Sequence, residues 1–259
     1  MNTRRLHWWV EVLTIAAFYG IYSLIRDIHG TNTDSVAQAT TNAHRLVDLE
    51  RDLGVFREAW MQHLVLGNHA FVSFWDDYYA TVHFLAVAGM LIWLFFVQPR
   101  RYRFWRNVIA LCTALALIGF AFFPVLPPRL LPSSYDFVDT LKVVGGLWNF
   151  SSGAVNSVSN QYAAMPSLHT AWSTWVSLAL WPSLRHWWAK VATLAYPAAT
   201  IYCIVVTGNH YFADAAGGLL FLGAAYLLTR AGHSLWHQHF GEANLLSVLR
   251  PRVHATADR

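Results

Sequence analysis

Residues 78–98 read YYATVHFLAVAGMLIWLFFVQ, 21 positions without a single Lys, Arg, Asp or Glu. A bilayer core takes about 20 mostly apolar residues per helix, so this stretch reads as a membrane span. Working outward, the same pattern returns at 107–126, again without charge, at 191–207, and at 211–229, where Asp214 is the lone acid. Between 143 and 184 there are no charged side chains, and 166–181 within it has helical character. Residues 6–25 are interrupted only by Glu11. Their length, and the lack of a small-residue cleavage site, argue for a retained span rather than a removable leader. The expectation is an all-α integral membrane protein: a single membrane domain over 1–259 built as a six-transmembrane-helix bundle.

Composition agrees. Of 259 residues, 56% are hydrophobic and only 12% charged, with a mean hydropathy of +0.34. Soluble domains carry roughly twice that charged share, and disordered chains need low hydrophobicity and high charge. The pI of 9.2 does not signal a nucleic-acid partner, since 18 Lys and Arg stand against 14 Asp and Glu. Cys112 and Cys203 both fall inside apolar runs and read as buried thiols.

Six spans place both termini on one side of the membrane. Twelve of the 18 basic residues then lie on the side of the termini, including Arg4, Arg5, Arg100, Arg101, Arg103 and Arg106. Most acids lie opposite. By the positive-inside rule the termini are cytoplasmic, in the plasma (inner) membrane of a multi-pass protein. Two outer segments are long. Residues 27–77 are charged and amphipathic, and from His44 to Val65 they read as one helix lying on the outer membrane surface, with Leu46, Val47, Leu49, Leu53, Phe56 and Trp60 interspersed. Residues 127–165, rich in Pro, Ser, Gly and Asn, read as an outer loop without regular structure.

Three pieces converge at that outer face. Ala164-Met165-Pro166-Ser167-Leu168-His169 enters the fourth span, where Pro166 suits a first helical turn and the free N–H groups, with the Ser167 hydroxyl, can hold an anion. Asn209-His210-Tyr211-Phe212-Ala213-Asp214 enters the last span. His210 and Asp214 are four residues apart and share a helical face, so the carboxylate can orient the imidazole. Pro127-Pro128-Arg129 supplies a guanidinium suited to bidentate phosphate binding. One oriented His able to attack phosphorus, a second able to protonate the leaving oxygen, and donors for a phosphate make a phosphoryl-transfer set. No metal or other cofactor is called for, because neither a His-Glu-x-x-His element nor a thiolate cluster is present.

Met165-Pro166-Ser167-Leu168-His169 and His210-x-x-x-Asp214 resemble the second and third signature motifs of the type 2 phosphatidic acid phosphatase superfamily. The resemblance covers most of the chain from about 78 to 229. The Pro-Ser-Leu-His variant, the Phe-Pro-x-x-Pro-Pro-Arg run ending at Arg129, and Thr207-Gly-Asn-His-Tyr look most like its inositol phosphorylceramide synthase branch. The resemblance implies a six-helix membrane fold, a phosphohistidine at His210, a general acid at His169, and Asp214 as the residue orienting His210. It implies a membrane phospholipid donor, such as phosphatidylinositol giving up inositol phosphate, with a lipid or sugar alcohol as acceptor. A phosphatase, with water as acceptor and phosphatidic acid or a polyprenyl diphosphate as substrate, is the alternative. A non-catalytic lipid-binding protein would be expected to lose one of the three central residues. Two features depart from the superfamily pattern. The Lys and Arg-Pro of the first motif are absent, Arg129 being followed by Leu130, and Cys203 and Ile204 stand where Ser-Arg precedes the third motif's His. Both changes remove phosphate-binding cations and favour a phosphodiester substrate or transfer. The branch resemblance also makes His83, with Tyr79 one turn earlier, a candidate for head-group binding, and a helix-packing hydrogen bond would serve that position equally. Sequence gives no oligomeric state.

Overall fold

The computed structural model describes residues 8–29, 33–144 and 164–248. The expected outer loop therefore lies partly outside the described residues, as do residues 6 and 7 of the expected first span. Ten helices are assigned in what is described: α1 (Trp8–His29), α2 (Thr33–Asp52), α3 (Glu58–Leu66), α4 (His69–Val97), α5 (Pro99–Phe122), α6 (Thr140–Val143), α7 (Leu168–Leu180), α8 (Trp187–Thr193), α9 (Ala195–Val206) and α10 (Phe212–Val248). The protein is an all-α, multi-span membrane protein. Among the described residues, four stretches are long and apolar enough to cross a bilayer: His69–Val97, Pro99–Phe122, Trp187–Val206 and Phe212–Leu235.

Local chemistry sets several boundaries. Asn68 starts α4 by accepting the Phe71 N–H at 3.1 Å, and Pro99 occupies the first turn of α5, where its missing N–H leaves no bond unmade. Near the start of α9, Pro197 cannot donate to the Thr193 carbonyl one turn earlier. The Ser177 hydroxyl of α7 donates to that carbonyl instead, at 2.7 Å, and the chain breaks between α8 and α9 at this point.

Helix α7 is the hub, packed against α4, α5, α9 and α10. It has 13 residues, about 20 Å at 1.5 Å per residue, which is short of a bilayer core of about 30 Å. Its far end is held by Arg101, which donates to the Ala179 carbonyl at 2.6 Å and to Ser183 Oγ at 2.8 Å. Trp175, fully buried, donates its indole N–H to the Trp105 carbonyl at 2.9 Å, tying α7 to α5. Helix α1 docks on α5 through Glu11, which meets Arg106 at 2.7 Å and the Tyr102 hydroxyl at 3.0 Å. Cys112 and Cys203 are free and buried.

The outer segments differ from expectation. The stretch 44–65 is two helices, because α2 ends in a turn at Gly54, whose φ is +71°. Ala39, Ala43, Leu46 and Val47 face the protein, where they pack with Val125, Leu126, Leu131 and Tyr211. Leu49, Leu53, Trp60 and Leu64 remain exposed. Nor is the third loop unstructured over its described part: 3₁₀ turns at Pro128–Leu130 and Ser133–Tyr135 precede α6. The outer helices clamp it. Asn42 donates to the Pro124 carbonyl at 2.9 Å, and the Gln62 amide bonds the Val138 N–H and carbonyl at 2.8 and 3.0 Å. Residues without local sequence complementarity are paired here by tertiary contact, which periodicity cannot register.

The start of α7 is wedged between α5 and α10. A Cβ on Gly119 would lie 3.0 Å from Pro166 Cδ, and one on Gly218 would overlap the Ser167 carbonyl oxygen. Gly218→Ala should therefore lower the thermal midpoint of the detergent-purified protein, by the equivalent of about 1–3 kcal/mol. Gly223→Ala on the same helix, where an added Cβ meets nothing within 4 Å, should leave stability unchanged or raise it by a few tenths to about 1 kcal/mol. Equal midpoints for the two variants would refute this packing.

Candidate functional site

The chain reverses between α9 and α10 through a turn built on Gly208, with φ +65°. A Cβ at Gly208 would sit 3.0 Å from Gln62 Nε2 and 3.3 Å from Arg129 Cβ, so glycine both permits the left-handed backbone and admits the loop. The Gly208 carbonyl accepts the Arg129 N–H at 2.9 Å, while the N–H groups of Asn209 and His210 both reach the Ile204 carbonyl.

His210 precedes α10 rather than lying on it, so its contact with Asp214 does not come from a shared helical face. Asp214 is three residues past Tyr211, the residue before the helix, and its Oδ2 reaches back to the Tyr211 N–H at 2.9 Å. This is the reciprocal half of a capping box. The same oxygen stands 3.3 Å from His210 Nδ1. The shorter contact of Nδ1 is with the Ala164 carbonyl, at 2.8 Å. A carbonyl only accepts, so Nδ1 carries a hydrogen, and in the neutral ring Nε2 keeps its lone pair. Among the described residues Nε2 is buried without a partner.

His169, in the first turn of α7, faces this imidazole with ring centroids 5.6 Å apart. Tyr79 stacks on His169 at 4.1 Å and 19°, and His83 lies 4.0 Å from the same His169 ring at 56°. His169 Nε2 and His83 Nδ1 are also buried without partners among the described residues. Three imidazoles with unsatisfied nitrogens in one cluster are unusual in a protein interior, where polar atoms are paired. Tyr79 and His83 thus lie in ring contact with His169, beside the expected pair.

Pro166 is not in the first turn of α7. Ser167 is the N-cap, its Oγ accepting the Thr170 N–H at 3.4 Å, and Pro166 precedes it on a cis peptide. The Ser167 N–H donates to the Asp214 carbonyl at 2.9 Å, and its own carbonyl accepts from Ala171. Helix geometry leaves the N–H groups of Leu168 and His169 as the donors this turn can offer. Arg129 is aimed by Asn209, whose Oδ1 accepts from its Nε at 3.0 Å, while Nη1 stands 3.5 Å from Asp139, a carboxylate shared with Lys142 at 3.0 Å. Cys203 and Ile204 are fully buried.

Four contributors were not singled out from sequence: the Ala164 carbonyl, Asn209, Glu50 and Glu58. Asn209 adjoins the motif histidine, so adjacency could have found it. Glu50 and Glu58 lie in a charged amphipathic stretch where acids look solvated, yet they are 1% and 0% exposed. Glu58 accepts the Phe212 N–H at 3.0 Å and Glu50 the Ala213 N–H at 2.7 Å. Burial, reinforced by the neighbouring Glu58, pushes Glu50 up from the ordinary 4.5 to about 9, against the opposing effect of the Ala213 N–H. Among the described residues no three His, Cys, Asp or Glu side chains are grouped as metal ligands.

A family model described as the PAP2 superfamily matches residues 44–228. That is more than half of the chain, and the chain belongs to this superfamily. No curated protein matches, and no solved structure does.

Because the folded protein keeps the Glu50 proton that an unfolded chain gives up near 4.5, this group favours folding below that pH. Its contribution is lost as pH rises from 4.5 toward about 9. Glu50→Gln should therefore gain thermal midpoint relative to the unaltered protein, by a margin that widens between pH 5 and pH 9. A margin that stays constant across that range would show that Glu50 is ionised in the fold.

Proposed function

We propose that this PAP2-superfamily member is a lipid phosphatase or phosphotransferase with His210 Nε2 as nucleophile. The observation carrying the reading is the His210 environment: Nδ1 committed to the Ala164 carbonyl beside Asp214, and Nε2 buried without a partner among the described residues and facing His169. In the proposed reaction Arg129, the Ser167 hydroxyl and the N–H groups of Leu168 and His169 hold the phosphate. Nε2 attacks phosphorus as the phosphorus–oxygen bond to the leaving alcohol breaks, and protonated His169 gives that oxygen its proton. Asp214 stabilises the positive charge that develops on His210. An incoming hydroxyl then loses its proton to His169 and displaces His210 from phosphorus. The reaction as written uses no metal.

With water as the incoming group the protein is a phosphatase, the reading that superfamily membership favours. Head-group transfer to a lipid or sugar alcohol is a second reading. It is favoured by the buried Cys203 and Ile204, which put no cation where the superfamily pattern has Arg, and so suit a phosphodiester better than a dianionic monoester. In that reading Tyr79 and His83 contact the head group, and phosphatidylinositol is one candidate donor. We further place α1 and α7 beside the four long apolar helices as two more crossings. The termini are then cytoplasmic and the site lies at the extracytoplasmic face of the plasma (inner) membrane, with Leu49, Leu53, Trp60 and Leu64 resting on the outer leaflet.

Purified protein offered phosphatidic acid, polyprenyl diphosphate and phosphatidylinositol, each with and without a lipid alcohol, should release inorganic phosphate or transfer a head group, with chelator present. His210→Ala should cut either activity by about 10³-fold or more, and acid-labile label on the protein should vanish with it. Full activity in His210→Ala would end the reading. Loss of the Arg129 guanidinium should act mainly on binding. Arg129→Ala is expected to raise KM about tenfold or more, whereas a pure kcat loss would remove Arg129 from the phosphate site.

A further inference from the structure

The first three N–H groups at the start of α10 all end on side-chain carboxyl groups. Tyr211 donates to Asp214 at 2.9 Å, Phe212 to Glu58 at 3.0 Å, and Ala213 to Glu50 at 2.7 Å. Only the first bond is local. The other two cross 154 and 163 positions of sequence, bringing α3 and α2 onto the turn that follows His210. Glu58 is further fixed by its second oxygen, which accepts the Arg57 N–H at 2.9 Å. Burying two carboxyl groups is costly unless they are well bonded. Capping alone does not require it, since a single Ser or Asn supplies an ordinary cap, as Asn68 does for α4.

Two further bonds show what this arrangement holds in place. Asp214 receives the Tyr211 N–H on the same oxygen that faces His210 Nδ1, and its carbonyl receives the Ser167 N–H. The first turn of α10 therefore joins α2, α3 and the start of α7, and the position of Asp214 relative to His210 depends on that turn. We infer that Glu50 and Glu58 are positioning residues for the His210–Asp214 pair, acting through the Ala213 and Phe212 N–H groups. The inference rests on the reading of His210 as nucleophile. Neither glutamate touches substrate; each fixes the helix start so that Asp214 and the Ala164 carbonyl keep the imidazole in its Nδ1–H form. Glutamine keeps the acceptor oxygen and alanine does not, so the two substitutions separate loss of the acceptor from loss of the carboxyl group.

The test uses the full chain in detergent, labelled with ¹⁵N-histidine, with the His210 signals assigned by their loss in His210→Ala. Glu50→Ala and Glu58→Ala should shift the His210 ring signals and lower kcat about tenfold or more, as expected for a displaced reacting group. KM should change little. Glu50→Gln and Glu58→Gln should restore both the signals and most of the rate. Asn68→Ala, which removes an ordinary cap on α4, sets the effect of a merely structural loss and should move neither. Unshifted His210 signals in the folded alanine variants would overturn the inference, as would a kcat loss no larger than that of Asn68→Ala. Should the alanine variants not fold, Glu50→Asp and Glu58→Asp shorten the acceptors, and unmoved signals there overturn it equally. Because the ring signals are read without substrate, the positioning is decided even where His210→Ala retains activity and the catalytic reading fails.

Discussion

A helix that starts inside protein rather than in water must find acceptors for N–H groups that have no partner within the helix. In this protein that constraint acts at two helix starts lying against each other, and they meet it in opposite ways. At α10 the N–H groups of Tyr211, Phe212 and Ala213 are taken by Asp214, Glu58 and Glu50. At α7 Ser167 takes only Thr170, and the next donors up the turn, Leu168 and His169, are left to other partners. Both helix starts carry the partial positive charge of the backbone dipole. One is capped by the protein's own carboxyl groups, and the other remains for an anion. The placement of the proposed phosphate at α7, rather than at α10, follows from that difference.

The same asymmetry organises the fold around the site. Helix α7 is fixed at both ends: Ser167 caps its start, and Arg101 bonds the Ala179 carbonyl and the Ser183 hydroxyl at its far end. The glycine contacts at 119 and 218 let α5 and α10 close on that beginning. The outer helices α2 and α3 then hold the 124–138 loop through Asn42 and Gln62, and the helix α10 start through the two glutamates. Arg129 is carried on the clamped loop and His210 on the capped turn. Asn209, bonded to Arg129 and adjacent to His210, links the two.

Much of this was legible in the sequence, for reasons that differ from residue to residue. The uninterrupted apolar run at 78–98 could only be a long buried or membrane helix, and α4 contains nearly all of it. His169, His210 and Asp214 stood out because ionisable groups at the end of an apolar span need a reason to be there. The break at Gly54 and the kink before Pro197 depend on local residue chemistry that hydrophobic periodicity averages away. Glu50 and Glu58 were not legible at all. Their neighbours include Asp48, Arg51, Asp52 and Arg57, the pattern of a solvated face, and their acceptor role is set by contacts more than 150 residues distant. The buried side of that amphipathic segment rests on protein, so part of its apolar pattern reports a core.

The imidazole of His210 shows how such distant contacts bear on chemistry. A histidine held by a carboxylate alone can pass its Nδ1 proton to that carboxylate or keep it, depending on the local field. A backbone carbonyl cannot take up the proton, so the 2.8 Å bond to Ala164 fixes which nitrogen is bare whatever the state of Asp214. Asp214, at 3.3 Å, bonds the Tyr211 N–H, and in the proposed reaction it also stabilises His210 when that ring becomes cationic. Tautomer and charge stabilisation are thus divided between two groups on different segments. Their agreement depends on residue 164 entering α7 and residue 214 beginning α10 at a fixed separation. The Ser167 N–H bond to the Asp214 carbonyl sets that separation directly, and the Glu50 and Glu58 bonds to the next N–H groups keep the α10 turn from yielding.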